Sequence, residues 1–261
     1  MPTAGLPDAP KLTDPVHKSQ IWRSIFRHDY KDTQRNRTLM IMSNVWLHLH
    51  PPKMRRHAAR FKFTWCMGGI TFFLFLVTVV TGVILMFYYR PTGEYAYLDM
   101  KYLMFDVSFG AFNRNMHRWA AHGMVITVMI HMFRVFLTGS YKPPREFNWV
   151  VGVLLLTFTF LLSFTGYLLP WDQLSIWAVT VGTNMARATP LLGHEGPFGP
   201  ELGMNARYDA RAFLVAGTVV GPATLLRFYI LHCIFIPLVT SLFLAVHFWR
   251  IRRDGFSGPA L

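Results

Sequence analysis

Residues 63–89 run for 27 positions without an acidic or basic side chain, and no other feature restricts the possible folds so strongly. Roughly 20 apolar residues suffice to cross a bilayer as an α-helix, and in lipid the backbone must satisfy its own hydrogen bonds. Residues 147–171 and 228–249 reach the same length. The stretch 119–133 is shorter, but Arg118 and Arg134 bound it and can extend their aliphatic stems to the interfaces. Tryptophans and tyrosines gather at the ends of these stretches (Trp65, Tyr88, Tyr89, Trp149, Trp171, Tyr229, Trp249), as interface anchors do. The pattern predicts an all-α membrane protein, a four-helix bundle with helices over about 63–89, 114–138, 148–170 and 226–250. A hydrophobic content of 52% agrees with that class.

The formal charge of +13 raises the question of nucleic acid, and its distribution answers it. Lys and Arg number 12 in residues 1–65, three in 134–148 and three in 250–261, which places 18 on the side holding both termini and eight on the other. Such asymmetry is a positive-inside pattern, so membrane topology accounts for the basicity and no nucleic-acid partner is expected. Both termini are expected on the cytoplasmic, electrically negative side of an energy-transducing membrane. Residues 1–60 form a basic extension in which IWRSIFRH (21–28) fits either an interfacial amphipathic helix or a solvated tail. Polar, proline-containing opening residues carry no signal-peptide pattern. The Gly- and Pro-rich connection 184–224 contains no recognisable motif.

Ionisable side chains are costly in a bilayer, so the membrane histidines are functional candidates. His117 and His131 are 14 residues apart, about 21 Å along a helix and on one face of it. His122 points elsewhere. His232 and His247 are 15 apart, which overshoots a shared face by roughly 60°. Pro237 lies between them and can kink the helix enough to re-aim His247. Taken singly, a membrane histidine is a polar core residue bonded to a carbonyl. Two per helix at matched spacing point instead to two stacked metal centres, each bridged by one histidine from each helix.

Gly68 and Gly82 on the first helix, and Gly152 and Gly166 on the third, are also 14 apart. Glycine lets a flat bulky group approach the backbone, and small residues also serve plain helix packing. Two haems standing edge-on between the histidine helices account for all eight positions. Arg114, Arg118 and Arg134 lie within three residues of the second helix's histidines and suit anionic propionates, as well as ordinary interface anchoring.

HRW followed by a histidine 14 residues on, TGYLLPWDQ (165–173), RFYILH (227–232) and the closing SGPAL together resemble the N-terminal half of cytochrome b. That is the dihaem quinol-oxidising subunit of cytochrome bc complexes, and the similarity runs from about residue 60 to 261. It implies that residues 61–261 form the haem domain. His117 and His232 would ligate the iron of the positive-side haem b, and His131 and His247 that of the negative-side one. His122 has no ligand role in that pattern and is read as a satisfied polar residue. The 15-residue histidine interval, the four helices and WCMGGIT (65–71) resemble the b6 branch in particular. Arg252 stands where that pattern places a propionate partner.

By itself Cys66 reads as a small buried hydrophobe. The chain has no C-x-x-C-H motif, which excludes ordinary c-type attachment. A disulfide with Cys233 is implausible, because the two lie at opposite membrane faces. The resemblance implies instead that Cys66 forms a single thioether to a third, c-type haem beside the negative-side haem b, its iron open to water or quinone.

The function implied is an electron-transfer subunit of a quinol:cytochrome c (or plastocyanin-like acceptor) oxidoreductase coupled to proton translocation. The quinol-site motif Pro-Glu-Trp-Tyr and any Rieske Cys–His pair are missing from the sequence, so this chain holds no catalytic residue of its own. Implied partners are a subunit-IV-like chain, a Rieske protein, a c-type cytochrome, quinone and lipid, within a homodimeric complex. Two other classes use membrane histidines: a dihaem b anchor of a dehydrogenase or hydrogenase, and a haem-free transport or assembly protein. The four glycines and PWDQ argue against the first, and a reduced absorption spectrum separates the second.

Overall fold

The computed structural model describes residues 19–20, 33–43, 56 and 60–255. The segment 21–28 and the closing SGPAL lie outside the described residues. The chain divides into two units, Met1–Pro52 and Lys53–Leu261. In the first, helix α1 (Gln34–Ser43) has no buried residue. Its start is capped by Thr33, whose hydroxyl oxygen accepts the Asn36 N–H at 3.2 Å.

The second unit contains, among the described residues, four helices long and apolar enough to cross a membrane, Met67–Met86, Gly110–Leu137, Glu146–Tyr167 and Pro222–Asp254. Phe73, Val80, Phe133, Leu161 and Leu238 are among the many apolar side chains they expose, as lipid-facing surfaces require. The first span α3 (Met67–Met86) begins later than the apolar run. A one-turn helix α2 (Phe61–Thr64) is closed by the Trp65 N–H on Phe61 O at 2.7 Å. Trp65 and Cys66 then both take left-handed backbone, each with φ 50°, and interrupt the helix expected from residue 63.

Beyond α3, Arg90 clamps the connection. Its backbone N–H and Nε donate to Asp99 Oδ2 at 2.8 and 3.0 Å and Nη2 to Oδ1 at 2.6 Å. These guanidinium hydrogen bonds hold the Asp99 carboxyl below the usual carboxylate range and pin helix α4 (Ala96–Phe105). The second span α5 (Gly110–Leu137) starts four residues earlier than expected. It can do so because Gly110 nearly touches α4, where a Cβ would stand 2.1 Å from Leu103 O.

The third span α6 (Glu146–Tyr167) leads into LLPWDQ. There Trp171 is left-handed at φ 55° and Asp172 Oδ1 accepts the Ser175 N–H at 2.8 Å, capping helix α7 (Gln173–Met185). The following connection, opaque in sequence, is ordered by polar contacts. Buried Arg211 donates to Asn184 Oδ1 at 2.8 Å and Thr218 O at 2.6 Å. Asp209 caps helix α8 (Ala210–Val215) and meets His194 Nδ1 at 2.5 Å. Tyr89, Ala96, Leu168, Val179, Leu225 and Phe228 form one apolar cluster beneath these connections.

The fourth span is not one regular helix. It runs as α9 (Pro222–Ile230), a π turn at Leu231–Phe235 and α10 (Ile236–Asp254). The Ile236 N–H reaches back five residues to Leu231 O, the wider spacing of a π bulge. Pro237 thereby falls in the first turn of α10, where its missing N–H leaves no gap in the bond ladder.

Candidate functional site

The spans alternate in direction, so the connections 87–109 and 168–221 share one end and residues 138–145 share the other with Cys66 and the end of α10. The second grouping is held by Arg145, which donates to Asp254 O at 3.3 Å and Gly255 O at 3.5 Å. Each end carries two of the four ligand candidates.

At the loop-rich end the rings of His117 and His232 meet edge-on, with centroids 6.2 Å apart and planes at 72°. With about 2 Å for a metal–imidazole bond and about 1.2 Å from ring nitrogen to ring centre, two imidazoles on opposite sides of one metal put their centres about 6.4 Å apart. The observed separation fits that bridge. His117 Nδ1 lies 3.0 Å from Thr81 Oγ1. His232 Nδ1 lies 3.0 Å from Leu162 O and 3.3 Å from Thr165 Oγ1. In both rings Nδ1 is occupied, which leaves Nε2 as the donor to a metal. Among the described residues no three His, Cys, Asp or Glu side chains converge as a bare ion would need. Two imidazoles with no third protein ligand would suit a metal whose remaining ligands come from a macrocycle.

At the other end His131 lies against Gly68 and His247 near Gly152. The fourteen-residue rhythm of the glycines acquires a local meaning. A Cβ on Gly82 would stand 3.1 Å from His117 Cε1, one on Gly68 3.1 Å from His131 Cε1, and one on Gly166 only 2.5 Å from His232 Cε1. At Gly152 the nearest atoms are Met132 Sδ at 3.6 Å and His247 Cε1 at 4.0 Å. Each notch faces the imidazole of a histidine on the adjacent span.

The π turn settles the uneven interval of the fourth span. A turn closed by an i→i+5 bond takes up one residue more than an α turn, so 15 residues advance about as far round the axis as 14. His232 and His247 then share a face as His117 and His131 do. The register correction at the Pro237 junction comes from this added residue, not from a proline kink.

Arg114 is half-buried, with Nη1 3.4 Å from Met104 Sδ. It lines a cavity of about 120 Å³ together with Tyr97, Lys101, Pro170 and Asp172. Arg118 is exposed one residue past His117. Arg134 and Arg252 are half-buried at the opposite end. Cations therefore stand near both histidine levels. His122 corrects the sequence reading, since it is exposed and its ring meets the edge of Trp119 at 5.8 Å, with no hydrogen bond among the described residues. Cys66 is also exposed, and both cysteines are free, so Cys66 is no buried apolar filler. Its Sγ leans over Gly69, where a Cβ would be 2.7 Å away. Sequence inspection passed over Thr81 and Thr165, though a Thr–Gly pair at both 81–82 and 165–166 carried the signal.

Residues 54–255 match the family described as cytochrome b/b6/petB. The chain belongs to the cytochrome b family. Similar members are the cytochromes b6 of Chlamydomonas reinhardtii, 46% identical, and Auxenochlorella protothecoides, 45% identical, each over 195 residues that make 75% of this chain and 84% of the relative. A solved chain of a hyperthermophilic respiratory complex III superposes with a TM-score of 0.70 at 25% identity, covering 95% of this chain. This cytochrome b-family chain spans 56% of that longer one. Membership implies b haems, and the opposed His117 and His232 rings fit such a group.

Proposed function

We propose that this chain is the dihaem electron-transfer subunit of a quinol-oxidising bc-type complex. The observation that carries the reading is the 6.2 Å opposition of His117 and His232 with both Nδ1 atoms engaged. The cytochrome b6 relatives and the complex III neighbour support it. His117 with His232 would hold one haem b and His131 with His247 the other, and the haems, when bound, supply one-electron chemistry that side chains lack. The protein's share is ligation, orientation and exclusion of water. Met124 and Val128, buried on the second span between the histidine levels, and the Phe158–Phe243 pair keep water out of the bundle centre. Arg114 and Arg118 at one level, Arg134 and Arg252 at the other, would take up propionates. Cys66, exposed at the end near His131, would add its thiol across a vinyl group of a third haem, forming one S–C bond with the thiol proton passing to the neighbouring carbon.

The 18-to-8 basic asymmetry supports a cytoplasmic position for the Cys66 end, with quinone reduced there and quinol oxidised at the loop-rich end. A subunit-IV-like chain, a Rieske protein and a c-type acceptor would complete the enzyme, in a homodimer coupled to proton translocation. His247→Ala is expected to remove one of two b haems from the purified complex, halving the reduced α-band while the second haem stays. Two full haems in that variant would overturn the assignment.

A further inference from the structure

We infer that Thr81 and Thr165 are positioning residues that fix the ligating tautomer of His117 and His232 and lower the reduction potential at that site. Thr81 donates its only hydroxyl proton to Val77 O at 2.6 Å, and Thr165 donates its own to Leu161 O at 2.8 Å. Each Oγ1 is then an acceptor toward the histidine beside it. Leu162 O, the second neighbour of His232 Nδ1, only accepts. Both rings therefore carry their proton on Nδ1 and leave the Nε2 lone pair bare. The two threonines are nearly inaccessible, 4% and 3% exposed, so water does not compete for these bonds.

The two ends of the bundle differ in this respect. His247 Nδ1 is buried with no hydrogen-bond partner, and His131 makes no ring hydrogen bond among the described residues. An imidazole that donates its far N–H to a fixed oxygen is a more basic ligand, and a more basic ligand favours ferric over ferrous iron. The threonine oxygens thus bias the loop-rich site toward the oxidised state and leave the other site without that bias.

The inference rests on the dihaem reading, and the test separates the two. The intact complex is purified with Thr81→Val, Thr165→Val and the matching serine variants, and its b haems are followed by optical redox titration. One midpoint is expected to rise by about 59 mV in Thr81→Val, the one-electron equivalent of a tenfold change, and by less in Thr165→Val, where Leu162 O at 3.0 Å still accepts the His232 Nδ1 proton, with the second midpoint unmoved in both. Serine, which keeps the oxygen, restores the parent value. Loss of one haem in the valine but not the serine variants supports the same role. An unchanged midpoint with haem retained, an equal rise in both haems, or identical behaviour of valine and serine overturns it. A parent complex with no b haem at His117 and His232 overturns the dihaem reading instead.

Discussion

Replacing Gly166 by alanine places a methyl carbon 2.5 Å from Cε1 and 3.0 Å from Nδ1 of His232, closer than a packed interior allows. The ring has to swing away, and the swing breaks its contacts with Leu162 O and Thr165 Oγ1. Overpacking costs about 1–3 kcal/mol and the single Nδ1–H hydrogen bond shared by those two oxygens about 1 kcal/mol, while alanine returns about 1 kcal/mol of helix propensity. The balance is a loss of about 2 kcal/mol in haem retention, roughly thirty-fold. The same change at Gly152 meets only Met132 Sδ at 3.6 Å and His247 Cε1 at 4.0 Å, ordinary contacts, so the propensity gain dominates there. Gly82 and Gly68, each with a 3.1 Å approach to a ring carbon, fall between. The assay dilutes the purified complex into excess apoprotein scavenger and follows loss of the reduced α-band. Retention should fall in the order Gly152→Ala, Gly68→Ala and Gly82→Ala, Gly166→Ala. Equal retention at Gly166 and Gly152, or a reversed order, refutes the claim that the notches accommodate the imidazoles.

Cys66 is expected to keep a haem through denaturation, visible as peroxidase staining and one haem of added mass on the unfolded chain. Cys66→Ala should lose both signals while its two b haems remain, and a parent chain at its bare sequence mass would dismiss the thioether. The π turn is expected to be dispensable as long as the residue it absorbs goes with it. Deleting Ile234 together with Pro237→Ala leaves 14 residues in a regular helix, and both b haems should persist by their α-bands; loss of the His247 haem alone would show that the turn does more than correct register.

The spans were legible because apolar length is a property of composition along the chain, and so was the shared face of His117 and His131, which follows from helical periodicity. Their ends were less so. Residues 65 and 66 look apolar enough to continue a helix, but a left-handed pair there depends on local hydrogen bonding that no propensity records. Gly110 starts α5 early because Leu103 O lies against it, a contact invisible without the fold. The overshoot of His232 and His247 was readable as a problem. Its resolution was not, since a bond to Leu231 O rather than to the next carbonyl changes no residue. The 184–224 connection hid its order for a similar reason, as Arg211 finds Asn184 and Thr218 across intervals of 27 and seven residues.

Each candidate imidazole lies beside a glycine of the neighbouring span in the same antiparallel pair. His117 on the second span sits over Gly82 of the first, and His232 on the fourth sits over Gly166 of the third. The Thr81 and Thr165 contacts obey the same division. Two hairpins, each complete with its own notch, hydroxyl and ring, thus face one another across the bundle. Synthesis delivers them to the membrane in turn, and the first can reach its final shape before the second has left the ribosome. What neither hairpin can do alone is close the gap between His117 and His232. On the proposed reading, a haem held between His117 and His232 would be the cement between two prefabricated halves.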